Sequence, residues 1–414
     1  MGDLYTQVSR YKALEKAWRH VRSRGLRSTS SEIRAEVQEF DLNLGRNLKS
    51  LQQRLAKHTF TFSPQLGVAK KRKGKSARPI VVSPVENRIV QRAILDVLSD
   101  VPGVQEVLAI PTSIGGIEGV DRAIALAVEA IRNGAIWYIR SDIPGFFTKI
   151  PKARIMDFIR AIPEADEHFV NLFEAAMTVD LANTDTLGKD ALLFPTDEEG
   201  VAQGSSLSPL IGNILLREFD RVLNDRGITC IRYIDDFLIL GTSRKTVVKA
   251  FEHAKAMLAE YGMDAYDPDT HPEKAAIGEI RQGFDFLGCH IQPGMVMPSK
   301  AARARLLEKV RQICRDGQRA MKSARDEDMP RGQRYAQTLT LLDRTIKGWG
   351  DSFAYCNARQ VFKDLDKKVG AEISKLGAYA NKLLKGQSQV VRRRILGVHV
   401  LEDTNWKDLL SSTE

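Results

Sequence analysis

The chain has 414 residues, a hydrophobic fraction of 43% and a formal net charge of +10, values typical of a globular protein that buries a large core and folds into two or three subdomains. It contains no run of eighteen uncharged apolar residues, and its N-terminus lacks the apolar core of a signal peptide, so we expect a cytoplasmic protein without membrane insertion. The four cysteines form no CxxC pair, which argues against a zinc site and a disulfide framework.

The first predicted elements are helices within residues 1–57. Apolar residues recur there at helical spacing, and Ser30 and Ser31 are available as N-caps. Residues 66–69 and 78–82 then have the composition of two short strands. They flank the basic stretch KKRKGKSA, which predicts a hairpin with Gly74 at its turn.

The middle of the chain alternates between helix and strand. Helices are predicted at 85–98, 119–132 and 152–179, a strand at 135–141, a loop at 184–200, and a helix, two strands and a helix between 208 and 261. Short strands follow at 283–291 and 295–297. From 299 onward the pattern is helical, with breaks predicted at 326–332 and 348–350. Strands in the middle and helices at both ends indicate an α+β fold.

These elements divide the chain into four predicted regions: a helical N-terminal extension (1–57), a mixed region (58–292), a helical basic region (293–385) and a basic tail (386–414). Residues 299–414 hold 24 Lys and Arg against 14 Asp and Glu, so this last quarter carries the whole excess of positive charge. Such a surface suits the binding of a polyanion, although a solvated helical surface has the same composition.

The most informative stretch is IRYIDDFLIL, residues 231–240, where two aspartates interrupt an apolar run. Side chains alternate between faces along a strand, so Asp235 and Asp236 fit best at the turn of a hairpin. A carboxylate beside a packed sheet is costly unless it binds a cation. The stretch therefore predicts either a divalent metal site or an exposed acidic turn.

A third carboxylate favours the metal site. Asp142 ends the predicted strand within IWYIRSDIPGFF. If that strand and the Asp235 hairpin belong to one sheet, the carboxylates can hold two Mg²⁺ ions, which activate a primer hydroxyl and neutralise leaving pyrophosphate. Cations for a bound triphosphate are available in the basic hairpin: Lys70, Lys71, Lys73, Lys75 and Arg78.

Several ordered motifs resemble those of prokaryotic reverse transcriptases, and the similarity covers about residues 60–370. The matching blocks are RPIVVSPVENRIVQRAI (78–94), SDIPGFF (141–147), AQGSSLSPLIGN (202–213), YIDD (233–236), PEKAAIG and GFDFLG (272–288) and GWGDSF (348–353). Their order makes coincidence improbable. The resemblance implies a right-hand polymerase: fingers and a palm of antiparallel sheet and helices within 58–292, and a helical thumb within 293–385.

The resemblance also implies roles for individual residues. Asp142, Asp235 and Asp236 would be the catalytic ligands of two Mg²⁺ ions, with Mn²⁺ as a substitute, and Lys274 would protonate the leaving pyrophosphate. Phe147 resembles the steric gate that selects deoxynucleotides; its alternative is core packing. Arg78, Lys70, Lys71, Gln203 and Gly204 would bind the incoming nucleotide, and Tyr233, Arg88 and Gln91 would contact primer or template. Each of these last three fits a packing role equally.

The chain lacks motifs that are typical of several reverse transcriptase subfamilies, which narrows the choice of subfamily. The stretch SIGGIEGV (113–120) replaces the Gly-Phe-Arg-Pro block usual in group II intron enzymes, no Val-Thr-Gly block typical of retron enzymes is present, and Ser208-Pro209 differs from the Ser-Gln of diversity-generating enzymes. By elimination the chain is most similar to defence-associated or unassigned bacterial reverse transcriptases. That placement implies a structured noncoding RNA as template, a DNA or RNA primer, deoxynucleotides as substrates, and complementary DNA as an anti-phage product.

Two alternatives remain open from the sequence. One is a group II intron reverse transcriptase without an endonuclease, which would assist splicing and mobility. The other is a scaffold that binds RNA but has lost the chemistry. A scaffold has no physical need for converging carboxylates that repel a nucleic-acid backbone, so Asp142, Asp235 and Asp236 favour an enzyme.

Overall fold

The computed structural model describes residues 3–72, 75–115, 119–224, 227–324 and 334–404. The chain forms two compact units, residues 1–280 and 281–414. The boundary therefore lies before the strands of 284–298, which we had assigned in part to the mixed region ending at 292. The prediction of an α+β fold is confirmed by helices and antiparallel sheets in both units.

The first unit begins with four helices: α1 (Leu4–Ser9), α2 (Tyr11–Leu26), α3 (Ser31–Leu42) and α4 (Leu44–Ala56). Ser30 caps α3, as its side chain accepts a hydrogen bond from the Ile33 N–H at 3.2 Å. Apolar side chains of these helices, Trp18 and Leu51 among them, belong to the same buried core as the rest of the unit. The N-terminal region is thus an integral part of this unit.

The next elements are a hairpin and two helices: β1 (Leu66–Arg72), β2 (Lys75–Val82), α5 (Val85–Leu98) and α6 (Pro102–Leu108). The two antiparallel strands pair from Leu66 with Val82 to Arg72 with Lys75. The hairpin is thus longer than the predicted strands. Residues 73 and 74, where we predicted the turn, lie outside the described residues.

The remaining elements of the first unit are the strands of a five-stranded sheet and the helices around it. They are β3 (Ser113–Ile114), α7 (Val120–Arg132), β4 (Trp137–Asp142), α8 (Lys152–Arg160), α9 (Glu167–Met177), α10 (Thr184–Leu187), α11 (Ser208–Leu215), α12 (Arg217–Val222), β5 (Thr229–Tyr233), β6 (Asp236–Gly241), α13 (Arg244–Ala259) and β7 (Ala276–Glu279). The strand order is β3-β5-β6-β4-β7, and α13 packs against β4 and β6. The central strand β6 is buried from Phe237 to Gly241, which explains its unbroken apolar sequence.

Two predictions for this unit are wrong in detail. The single helix predicted over 152–179 is divided into α8 and α9, because Pro163 has no N–H for a continuing helix and Asp166 caps the new helix through the Phe169 N–H. The predicted loop at 184–200 contains α10 and a 3-10 helix, Gly188–Leu193. Helix α6, which starts with Pro102, was not predicted.

The second unit begins with a three-stranded sheet, β8 (Phe284–Phe286), β9 (Cys289–Gln292) and β10 (Met295–Pro298). Four helices follow: α14 (Lys300–Ser323), α15 (Tyr335–Ser352), α16 (Arg359–Leu384) and α17 (Gln389–Leu396). They share a core that includes Leu306, Val310, Leu376 and Ile395. No helix in the described part of the chain is both long and apolar enough to span a membrane.

Two predictions for the second unit are corrected. Helix α15 continues through 348–350, where we predicted a break, since Trp349 packs against Phe353 and Phe362 and offsets the cost of two helical glycines. The predicted basic tail contains α17, whose Ile395 is fully buried. The predicted break at 326–332 lies outside the described residues.

Candidate active site

The three predicted metal ligands lie at one end of the central sheet. Strands β5 and β6 form a hairpin in which Tyr233 pairs with Asp236, so Ile234 and Asp235 are the two turn residues. Asp236, the first residue of β6, lies opposite Asp142, the last residue of β4. The hairpin and the β4 end thus place Asp142, Asp235 and Asp236 at the same end of the sheet, in the wall of one cleft.

The turn that carries Asp235 is conformationally strained. Ile234 has φ +61°, a left-handed conformation that is unfavourable for a β-branched residue. Its N–H donates to the Ile114 carbonyl at 3.1 Å, and the Asp235 carbonyl accepts from the Ile143 N–H at 3.0 Å. Gly115 leaves room for this turn, because a Cβ atom there would lie 2.6 Å from Ile234 Cγ1. Neighbouring elements on two sides therefore hold Asp235 in place.

A buried arginine stabilises the same turn. The Arg232 guanidinium donates to the Ile234 carbonyl at 2.9 Å and to Asp220 Oδ1 at 2.7 Å. Ser113 Oγ and Asn213 Oδ1 accept further hydrogen bonds from it at 2.7 and 3.1 Å. The side chains of Arg232 and Asp220 are both 0% exposed. Our sequence analysis missed this ion pair; the signal was an arginine inside a buried apolar strand.

The carboxylates open into a cleft of about 420 Å³. Two predicted cations lie in its wall. Lys274 Nζ is 3.2 Å from Asp142 Oδ2 and 4.8 Å from the centroid of the Tyr266 ring. Arg78 Nε donates to Gln203 Oε1 at 2.7 Å. Anionic and cationic groups therefore face the same cleft, as binding of a metal-chelated triphosphate requires.

Phe146 and Phe147 both contribute to the wall of the cleft; Phe146 is buried and Phe147 is half-buried. The two rings are tilted by 53° with centroids 5.3 Å apart. Phe147 also packs against the core of the unit, so its wall position fits both the gate assignment and the packing alternative.

The loop containing Gln203 and Gly204 lies against β2. The Val81 N–H donates to the Gln203 carbonyl at 3.1 Å. Gly204 has φ +125°, and a Cβ atom there would lie 3.0 Å from the Val81 carbonyl oxygen, so this position requires glycine. Ser208 does not cap the following helix. It is the first residue of α11, and its hydroxyl donates to the Ala202 carbonyl at 2.7 Å.

Two of the three carboxyl groups, those of Asp235 and Asp236, have pKa values raised above the usual range. Burial, and then the charge of Asp142, raises the pKa of Asp235. Asp236 is exposed by its accessible surface, but crowding by the surrounding protein and the charges of Asp235 and Asp142 still raise its pKa, to about 7. In the described residues no three His, Cys, Asp or Glu side chains converge as a metal site. Asp142 forms an ion pair with Lys274. Oxygen ligands of this kind fit Mg²⁺.

This electrostatic arrangement predicts pH-dependent metal binding. A proton on Asp236 competes with Mg²⁺, so we expect the apparent Mg²⁺ affinity to be about tenfold lower at pH 6 than at pH 8. In the metal-free protein, the free energy of unfolding changes with pH in the opposite direction. A raised carboxyl pKa makes the folded protein less stable as pH rises through about 7. Calorimetric Mg²⁺ titrations at the two pH values measure the first effect.

The matched control is Asp236→Asn, which cannot titrate and is expected to bind Mg²⁺ more weakly but with a flatter pH dependence. Equal wild-type affinities at pH 6 and pH 8 would exclude Asp236 as the competing group.

Other predicted residues lie outside the cleft wall. Lys70 and Lys71 are exposed on β1, Tyr233 ends β5, and none of the three is part of the wall. Lys73, like the 116–118 portion of SIGGIEGV, lies outside the described residues, and so does the side chain of Lys75.

The primer or template role predicted for Gln91 is corrected, whereas that of Arg88 stays a prediction. Gln91 is 1% exposed and its amide donates to the Ala176 carbonyl of α9 at 3.0 Å. Arg88 forms an ion pair with Glu36 of α3 at 2.6 Å. Both contacts join α5 to neighbouring helices. The packing alternative describes Gln91, whereas the Arg88 side chain remains 21% exposed.

The family model of reverse transcriptases, described as RNA-dependent DNA polymerases, matches residues 69–291. Protein YkfC of Escherichia coli is 24% identical over 249 residues, which are 51% of this chain and 62% of YkfC. An uncharacterised 91 kDa protein in the cob intron of Schizosaccharomyces pombe is 25% identical over 42% of this chain and 20% of its own length. The chain thus spans less than two thirds of either relative.

Two solved structures show weaker similarity. A chain of a partial Cas6-RT-Cas1–Cas2 complex has 22% identity and a TM-score of 0.37, over 64% of this chain and 44% of its own. Telomerase from Candida albicans, solved with a fragment of telomeric RNA, has 12% identity and a TM-score of 0.41, over 84% and 66%. At these values neither structure bears on activity.

Proposed function

The chain belongs to the reverse transcriptase family, and from that premise we propose that it is an RNA-directed DNA polymerase that copies an associated structured noncoding RNA into complementary DNA. The observation that carries this proposal is the junction of Asp142 with the Asp235–Asp236 hairpin in one cleft that also holds Lys274 and Arg78. Nucleotidyl transfer needs this combination of carboxylates and phosphate-binding cations.

Asp142, Asp235 and Asp236 are the proposed ligands of two Mg²⁺ ions, for which Mn²⁺ can substitute. When bound, these cations would lower the pKa of the primer hydroxyl and stabilise charge on the leaving pyrophosphate. The protein contributes position: the strained turn holds Asp235, and strand pairing holds Asp236 opposite Asp142. Little side-chain reorganisation is then needed for metal binding.

The cationic side of the cleft is proposed to bind the triphosphate. Arg78 binds its phosphate oxygens, and Gln203 keeps the guanidinium in the cleft through the 2.7 Å hydrogen bond. Lys274 can give a proton to the leaving pyrophosphate, since its Nζ already lies 3.2 Å from Asp142. Gly204 allows close approach of the nascent base pair, and Lys70 and Lys71 remain candidates for outer phosphate contacts.

Phe147 is proposed as the group that selects deoxynucleotides. Its ring faces the cleft beside the carboxylates, where it would lie under the sugar of the incoming nucleotide and crowd a 2′-hydroxyl. We expect Phe147→Ala to raise the incorporation of ribonucleotides relative to deoxynucleotides about tenfold or more, the effect of removing one steric contact of 1–3 kcal/mol. Single-nucleotide primer extension with matched dNTP and rNTP measures the ratio.

The matched control for this prediction is Phe173→Leu. Phe173 is buried in the core and lies outside the cleft wall, so its replacement lowers stability without relaxing sugar selection. An unchanged ratio in Phe147→Ala would remove the gate assignment.

The product is proposed to act in bacterial anti-phage defence, with a DNA or RNA primer and the noncoding RNA as partners. Support for this finer proposal is the exclusion of other subfamilies by sequence motifs and the positive charge of residues 299–414. The competing functions are those of an intron-encoded reverse transcriptase that assists splicing and of a scaffold that binds RNA without chemistry.

The deciding experiment is to sequence the RNA and DNA that copurify with the wild-type protein and with the double variant Asp235→Ala, Asp236→Ala, with and without phage infection. One discrete RNA in both samples, with complementary DNA only in the wild type, supports templated synthesis and identifies the template. Intron RNA supports the intron enzyme. RNA in both samples and DNA in neither supports the scaffold.

A further inference from the structure

Two of the four cysteines meet in the second unit. Cys289 is the first residue of β9, and Cys356 lies in the segment between α15 and α16. Their side chains are hydrogen-bonded to each other, and Cys289 Sγ lies 3.4 Å from the Tyr355 hydroxyl. Both are free thiols, and neither is part of the wall of the active-site cleft. The polymerase reaction proposed above makes no use of this pair.

Hydrogen bonds hold the segment that carries Cys356 against the three-stranded sheet. The Asn357 N–H donates to the Val296 carbonyl at 3.0 Å, and Asn357 Oδ1 accepts from the Val296 N–H at 2.8 Å. The side-chain amide of Asn357 donates to the Gly294 carbonyl at 3.0 Å. Val296 belongs to β10, which pairs with the strand of Cys289. The backbone contacts around both cysteines therefore fix the meeting of the two thiols.

Aromatic rings position the other end of this segment. The Phe353 ring packs on Trp349 at 4.7 Å and on Tyr355 at 6.5 Å between centroids. Gly288, the residue before Cys289, lies against the same ring, since a Cβ atom there would be 3.9 Å from Phe353 Cζ. The Tyr355 hydroxyl is thus held beside the Cys289 sulfur by packing on both sides of the contact.

The hydrogen bonds give the two thiols different acidities. The bond from Cys356 and then the bond from Tyr355 lower the pKa of Cys289, and together they outweigh its burial and the charge of Asp285. The bond to Cys289, together with burial, raises the pKa of Cys356. A thiolate in this pair is therefore stabilised by neighbouring donors, and the thiolate is the reactive form of cysteine.

The two thiols also differ in their access to solvent. Cys289 is 0% exposed, whereas Cys356 is partly exposed. A dissolved oxidant therefore reaches the Cys356 sulfur, and Cys289 can react only with a neighbour inside the protein. When the pair has lost one proton, the remaining proton is shared along the hydrogen bond between the sulfurs, so a fraction of the pairs carries the thiolate on Cys356.

The other two cysteines have the properties of inert core thiols. Cys230 is 0% exposed, and burial raises its pKa. Cys314 is 5% exposed, and burial and the charge of Glu372 raise its pKa. Neither has a stabilised thiolate, so both serve as internal references for the reactivity of the Cys289 and Cys356 pair.

We propose that Cys289 and Cys356 form a redox site, which hydrogen peroxide closes to a disulfide and a small thiol reopens. The Cys356 thiolate attacks one peroxide oxygen, the O–O bond breaks, and Cys356 becomes a sulfenic acid as hydroxide leaves. The Cys289 thiolate then attacks the Cys356 sulfur and expels a second hydroxide. The two hydroxides take up the two thiol protons, so two thiols and one peroxide give one disulfide and two waters.

The disulfide would join β9 covalently to the segment between α15 and α16. It closes a long loop of the chain, so it restricts the unfolded state and should raise the Tm of the oxidised protein above that of the reduced protein. The site depends only on contacts within the second unit and does not rest on the polymerase function.

The test exposes the reduced full-length protein to hydrogen peroxide under native conditions, blocks the remaining thiols with N-ethylmaleimide and maps the peptides by mass spectrometry. We expect the wild type to lose two of its four thiols, with Cys289 and Cys356 recovered as one disulfide-linked pair of peptides. Cys230 and Cys314 should remain thiols. Dithiothreitol should restore the two lost thiols and reverse the rise in Tm.

Cys356→Ser removes the partly exposed sulfur and is expected to fold normally, to form no disulfide and to show no rise in Tm with peroxide. Tyr355→Phe keeps the ring but removes the hydroxyl, so the disulfide should form about threefold more slowly. Cys314→Ala is the matched control and should react as the wild type does. Retention of all four thiols, oxidation of Cys356 to a sulfinic acid without a disulfide, or a disulfide with another pairing would overturn the proposal.

Discussion

Asp235→Asn is expected to lower the rate of DNA synthesis by at least about a thousandfold, since it removes a metal ligand from a reaction that depends on charge stabilisation. The stability of the folded protein should not fall. Burial and the charge of Asp142 raise the pKa of Asp235, so its ionised form destabilises the metal-free fold. The neutral amide relieves that cost, and the Tm without metal should be unchanged or higher. Primer extension and thermal unfolding measure the two effects.

The matched control for this variant is Asp157→Asn, an exposed aspartate on α8 outside the cleft wall, which should change neither quantity. The rise in Tm on addition of Mg²⁺ should also disappear in Asp235→Asn and persist in the control. A variant that retains synthesis within tenfold of the wild type would contradict the metal-ligand role. A lower Tm without metal would indicate a structural role instead.

Asp220→Ala is expected to lower the free energy of unfolding by about 3–5 kcal/mol, the usual cost of leaving one partner of a buried ion pair uncompensated. Arg232 would keep its charge in a site with no access to solvent, and its remaining contacts are neutral groups, the Ile234 carbonyl, Ser113 and Asn213. Urea unfolding measures the loss. The double variant Asp220→Leu, Arg232→Met should regain much of the stability, because paired apolar residues carry no buried charge.

The double variant is also expected to remain poorly active, since the Ile234 carbonyl has lost its donor and the strained turn is held less firmly. A lower kcat with little change in KM would indicate misplacement of Asp235 rather than weaker substrate binding. Glu218→Ala, which breaks an exposed ion pair with Arg221 on the same helix, is the control and should cost less than about 1 kcal/mol. A similar cost for both single variants, or full activity of the double variant, would refute the positioning role.

The sequence was sufficient for the α+β fold, for the hairpin around Asp235 and for the set of groups around the cleft. Two rules explain this success. Strand periodicity is local, so an apolar run interrupted by Asp235 and Asp236 could be placed at a hairpin turn without knowledge of the fold. The ordered motifs then grouped Asp142, Lys274, Arg78, Phe147 and Gln203, which lie in one cleft wall.

Prediction from the local sequence failed where the position of a residue depends on a partner in another element of the fold. Gln91 was expected to contact primer or template, yet its side chain is buried and its amide donates to α9. Helix α15 continues through two glycines because Trp349 packs on neighbouring aromatic residues. The local sequence shows no partner for Arg232, but in the structure its guanidinium donates to Asp220, twelve residues earlier in the chain.

The sequence by itself therefore determined which residues are the candidates for catalysis, because their types and spacing express a chemical need. Only the tertiary structure decided what holds that set in place: the left-handed Ile234, the buried pair of Arg232 with Asp220, and the approach of Lys274 to Asp142. Such features depend on the meeting of segments far apart in sequence, which no local pattern encodes.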